Sequence, residues 1–106
     1  MGLVGVLAGN LLFAAPDPPL LRGLPEHYDA ASKTLTDRVR ARFPAGTPEA
    51  GVIAELGAQG FEVSPPSRSA HWRRTGLPCT EIAAIWWSAE QGRVTAIEGL
   101  RNAICP

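Results

Sequence analysis

Two cysteines, two histidines and three tryptophans are the side chains of this 106-residue sequence best suited to specific chemistry. Cys79 precedes the most apolar stretch of the chain, and Cys105 follows the segment that returns beside it. A hairpin turning near Gln91 places residue 79 opposite about residue 102, which brings Cys105 within reach. A Cys79–Cys105 disulfide is therefore expected. Closing that loop is worth roughly 3–4 kcal/mol by chain-entropy arithmetic, and it requires an oxidising compartment.

His27, His71, Cys79 and Cys105 include the ligand types of a zinc site, but no short pair spacing such as C-x₂-C or H-x₃-H joins them. His27 falls at a helix start and His71 in a basic stretch, positions typical of solvated imidazoles. No metal is expected. Nucleophilic catalysis finds no G-x-S-x-G elbow, and the cysteines are better spent on a disulfide than on a Cys–His pair. Phosphate-loop and dinucleotide glycine patterns are missing. The glutamates at 49, 55, 62, 81, 90 and 98 are scattered over positions typical of solvated faces. Neither a catalytic residue nor a cofactor is expected.

Trp86-Trp87 sits inside a strand-like run, so one indole points to each face. One fills the core. The other, with Trp72 and Arg73 or Arg74 of a neighbouring strand, is expected to form an exposed aromatic and cationic patch unless the N-terminal linker or the loop near Pro65 covers it. That composition is common at protein-binding hot spots. Trp72, Arg73, Arg74 and either Trp86 or Trp87 are thus the candidate contacts for a protein partner.

These side chains need elements to hold them. Tyr28, Leu35, Val39 and Phe43 recur at helical spacing within His27–Phe43, and Pro44 stops the helix. Thr47-Pro48-Glu49 marks a second helix start: Thr47 can cap, Pro48 needs no N–H there, and Glu49 faces the positive dipole end. Val52, Ile53 and Leu56 form its apolar face, and Gly60 is placed for a left-handed C-cap. Phe61–Val63 reads as a short edge strand, and Ser69–Thr75 as a second strand. Thr80–Ala89 is the strongest strand, with a turn at Glu90-Gln91-Gly92 and a return over Arg93–Gly99. The expected fold is α+β, with two short helices on a three- or four-stranded antiparallel sheet over residues 26–106.

The N-terminal run Met1–Ala15 (MGLVGVLAGNLLFAA) carries no charge, and Pro16-Asp17-Pro18-Pro19 follows it. Fifteen helical residues rise roughly 22 Å, short of the roughly 30 Å hydrocarbon core. Three readings stand: the C-terminal part of a membrane helix that starts upstream, a degenerate signal sequence, or a buried first element. Residues 16–25 read as a Pro-rich extended linker.

The balance of ten basic and ten acidic residues gives zero net charge, against a nucleic-acid-binding surface. A hydrophobic content of 45% excludes a disordered tail. Lys33 is the sole lysine against nine arginines, a usage that suits a GC-rich bacterial genome.

The stretch GTPEAGVIAELGAQGF, residues 46–61, resembles the Gly-Thr/Ser-x-x-x-x-Val-x-x-x-Leu-Gly segment of BamE/SmpA-like envelope proteins. In architecture the resemblance extends over about residues 35–99. It implies two helices on a three-stranded sheet, an arrangement shared with β-lactamase inhibitor protein repeats, and a non-enzymatic envelope module. The lipobox cysteine of that family is absent here, as is any outer-membrane assembly signature. The resulting expectation is a small bacterial envelope protein. It would be anchored at the inner membrane with a periplasmic domain, or secreted, and would bind or scaffold a protein partner. The alternative is a small enzyme or ligand-binding subunit with a pocket between helices and sheet.

Overall fold

In the computed structural model the described residues are 16–105, so the anchor or signal expected over Met1–Ala15 lies outside them. The first helix, α1 (Tyr28–Arg42), buries Ala31, Leu35 and Val39 one turn apart, and Phe43 continues the stripe. Tyr28, expected to begin that stripe, is 43% exposed, and Ala31 takes its place. The second helix, α2 (Glu49–Ala58), buries Val52 and Leu56 and ends on Gly60, whose φ of +95° is the left-handed conformation expected there.

The start of α2 is held differently from the sequence expectation. Thr47 makes no cap; its hydroxyl donates back to the Pro44 carbonyl at 2.6 Å. The Glu49 N–H instead donates to the Gly92 carbonyl at 2.8 Å, and the Val94 N–H donates to the Thr47 carbonyl at 2.9 Å. Backbone of a distant hairpin thus takes the first N–H of the helix and fixes the chain that enters it.

Four strands follow: β1 (Glu62–Ser64), β2 (Ser69–Arg74), β3 (Thr80–Glu90) and β4 (Arg93–Ile104). They pair antiparallel in sequence order, and both helices cover one face, giving the α+β fold. Gln91 and Gly92 both take positive φ, +52° and +74°, which makes the β3–β4 connection a tight two-residue turn. The register shifts by one between Ser88 and Ala89, which sets Thr80 opposite Ile104. Residue 79 therefore faces residue 105 itself, and the Cys79–Cys105 disulfide is formed with a Cα–Cα distance of 4.3 Å.

Residues 16–25 do not form an extended linker. Pro19–Leu21 is a 3₁₀ turn whose Leu20 and Leu21 are buried in the core. The Leu20 N–H donates to Gln59 Oε1 at 3.2 Å, and Arg38 donates to the carbonyls of Leu20 and Arg22. Prolines fix the backbone there, and two leucines provide the apolar area that docks it.

β4 is an edge strand, and α1 lies along that edge. Ser32 Oγ accepts from the Arg101 N–H at 2.8 Å and donates to the Arg101 carbonyl at 3.2 Å. Thr36 Oγ1 does the same with Gly99, at 3.0 Å in each direction. Arg40 Nε donates to the Ile97 carbonyl at 3.0 Å. Four helical residues advance about 6 Å and two strand residues about 6.6 Å, so spacing by four on α1 matches spacing by two on β4.

Candidate functional site

Pairing register decides which side chains share a face. Ala83, Ile85 and Trp87 of β3 are buried under the helices, so Ile82, Ala84 and Trp86 point to the other face. Trp86 is 39% exposed and Trp87 only 5%, which realises the expected split of the two indoles. Trp87 is also tied down: its Nε1 donates to Glu49 Oε2 at 2.7 Å, and Arg68 pairs with the same carboxylate at 2.7 Å. These bonds, the indole first and the guanidinium second, hold the Glu49 carboxyl below its ordinary value.

β2 distributes the remaining candidates by the same alternation. Trp72 pairs with Ala83 and Arg74 with Glu81, on the helix side; His71 pairs with Ala84 and Arg73 with Ile82, on the open side. The five candidates therefore do not form one patch. Trp72 and Arg74 stand with buried Trp87 on the helix side, while Arg73 stands with Trp86 on the open face.

On the helix side Trp72 is half-buried against the core and flanked by two guanidinium groups. Arg74 lies 5.3 Å from its ring centroid and Arg101 5.9 Å, and Arg101 also lies 5.8 Å from the ring of Tyr28. Glu81 pairs with both arginines at 2.8 Å, and Asp17 pairs with Arg74 at 2.6 Å. Arg74, with Arg101 behind it, holds the Glu81 carboxyl below the usual range, and Glu81 in turn raises Arg74. Both arginines are spent inside the fold, which removes them as free cationic contacts. Sequence reading missed Tyr28, Asp17, Glu81 and Arg101 as members of this cluster; only the register brings them together.

The open face is different in character. Ile82, Ala84 and Trp86 on β3 lie beside Leu100 and Ile104 on β4, and Ile104 is 53% exposed and Leu100 38%. A shallow hollow between Glu62, His71, Arg73, Ile82 and Ile104 borders this stripe. Arg73 flanks it on one side, with Glu98 and Asn102 on the other. Such a row of apolar side chains on a solvated sheet face is a surface for contact rather than for reaction.

The space between helices and sheet is occupied by Leu35, Val39, Val52, Leu56 and Ile85, all fully buried, and no polar or charged residue among the described residues is buried. Among the described residues no group of three or more His, Cys, Asp or Glu side chains is placed to hold a metal ion. No helix among them is long and apolar enough to cross a membrane. No family model matches the sequence, and no curated protein or solved structure matches it.

Proposed function

We propose that this chain is a non-catalytic binding module of the bacterial envelope, tethered through its apolar N-terminal segment, that holds a protein partner on the open face of its sheet. The carrying observation is the exposed row of Trp86, Leu100 and Ile104 beside Ile82, with Arg73 at its margin. Aromatic and aliphatic anchors beside an arginine are the composition of interface centres. The partner surface that fits is correspondingly apolar. The disulfide supports an oxidising, extracytoplasmic location. The BamE/SmpA-like stretch over residues 46–61 supports an envelope module. The pocket required by the alternative reading lies where the core side chains sit.

The test is site-specific photo-crosslinking in cells, with a photoreactive residue at position 86 and a control at Lys33 on the exposed surface of α1. The expected result is one discrete adduct from position 86 only, whose isolated protein binds the purified chain and loses binding to Trp86→Ser. Equal adducts from both positions, or none from position 86, would refute the binding face. An adduct to a second copy of the chain would replace the heterologous partner with self-association.

A further inference from the structure

We infer that the disulfide-bearing end of the domain is a foot that rests in the lipid headgroup region, with Leu77 as its inserting side chain; this rests on the membrane tether proposed above. Leu77 is 99% exposed, the extreme among the large apolar residues described. It occupies the short loop between β2 and β3, and the loop is held at both ends. At its base Arg74 pairs with Glu81, and Cys79 is bonded to Cys105. Gly76 is required for its tight path, since a Cβ there would stand 2.9 Å from the Cys79 carbonyl oxygen. A leucine carried on a braced loop with no packing role is presented outward by the fold.

One aromatic side chain shares this end. Tyr28 flanks the same loop across a hollow. Tyrosine suits the boundary between headgroups and acyl chains because its ring is apolar and its hydroxyl is polar.

The path of the chain selects a bilayer as the occupant. Asp17 is fixed to Arg74, the residue at which the loop begins, and Leu20 and Leu21 anchor the following turn in the core. Two residues span at most about 7 Å, so the uncharged run ending at Ala15 joins the domain within that distance of Asp17. A long flexible linker would let the domain face any direction. The docked one leaves no slack, so a run embedded in lipid brings Leu77 and Tyr28 to the lipid surface. The β3–β4 turn lies at the far end of an eleven-residue strand, roughly 35 Å away, and points to the aqueous side.

The test uses the full chain with vesicles of phosphatidylethanolamine and phosphatidylglycerol carrying a photoactivatable diazirine lipid. Flotation reads the tether, and peptide mapping of lipid adducts after reduction reads the foot. The expected result is flotation, with adducts on Thr75–Cys79 and at Tyr28 and none over Ser88–Val94. Leu77→Asp is expected to float equally while losing the loop adduct. Flotation with adducts confined to residues 1–15, or spread equally to the β3–β4 turn, would overturn the foot and leave the tether standing. An unchanged loop adduct in Leu77→Asp would also overturn it. Failure to float would overturn the tether, and the foot with it.

Discussion

Gly99→Ala tests how α1 is seated against the sheet. A Cβ built on Gly99 stands 2.7 Å from Leu35 Cγ and 2.9 Å from Leu35 Cδ2. Carbon atoms pack best at about 3.5–4.0 Å, so the new methyl overlaps Leu35 by about 1 Å. Leu35 is fully buried, and α1 is held to β4 by the hydroxyls of Ser32 and Thr36 on either side of it. The helix therefore cannot lift without breaking those bonds. Overpacking of this kind costs about 1–3 kcal/mol. Against it stands about 0.4–1 kcal/mol gained from restricting the unfolded chain. The net expectation is a loss of about 1–2 kcal/mol, or roughly 5–15 °C in Tm for a domain of this size. Urea unfolding followed by far-UV circular dichroism reads it directly. Leu35→Ala alone should cost about 2–5 kcal/mol through the cavity it leaves. When both substitutions are combined, the methyl added at position 99 occupies part of that cavity, so the combined loss should fall short of the sum by at least about 1 kcal/mol. A neutral Gly99→Ala, or losses that add within about 0.5 kcal/mol, would refute the close seating of α1 on β4 at this point.

Replacing both cysteines, Cys79→Ser with Cys105→Ser, should lower stability by about 3.5 kcal/mol through loop entropy, read as a drop in urea midpoint with a steeper slope, because the unbridged unfolded chain exposes more surface. Reductant should reproduce that drop in the wild type and change nothing in the double variant. Glu49 and Glu81 are held below their ordinary value of 4.5, by Trp87 with Arg68 and by Arg74 with Arg101 respectively. The unfolded chain therefore binds more protons than the folded one as pH falls through 4.5, so the stability these groups supply is present above that pH and lost below it. Denaturation midpoints from about pH 6 to about pH 3 should show this acid limb, and Glu49→Gln with Glu81→Gln should flatten it. An acid limb unchanged in that double variant would assign the titration to other groups.

The elements that sequence reading found were those with a local physical cause. Pro48 and Gly60 bracket α2 because fixed φ and positive φ are properties of single residues. Trp86 and Trp87 divide between two faces because alternation holds along any strand. The disulfide followed from hairpin closure. What stayed hidden depends on register. Ser69–Arg74 carries polar and aromatic side chains on both parities, so only pairing with β3 shows that Ala70, Trp72 and Arg74 turn inward. Reading Trp72, Arg73 and Arg74 as one patch joined residues that the pleat separates. Pro18-Pro19-Leu20-Leu21 reads as a breaker followed by two apolar residues, and its docking exists only once α1 and Gln59 supply a seat. Ser32 and Thr36 look like polar filler on α1, and their role appears only when β4 lies beside them.

The sheet has two unequal borders. β4 meets α1, whose hydroxyls and Arg40 occupy backbone groups from Ile97 to Arg101 that an incoming strand would need. On the opposite border β1 covers only Ser69–His71, so Trp72–Arg74 carry no strand partner on that side among the described residues. Head-to-tail growth of a continuous sheet from many copies requires two receptive borders. Among the described residues this fold offers one. Strand pairing between copies would join like border to like border about a twofold axis and stop at a pair, so the geometry that seats α1 also prevents edge-to-edge propagation into a fibre.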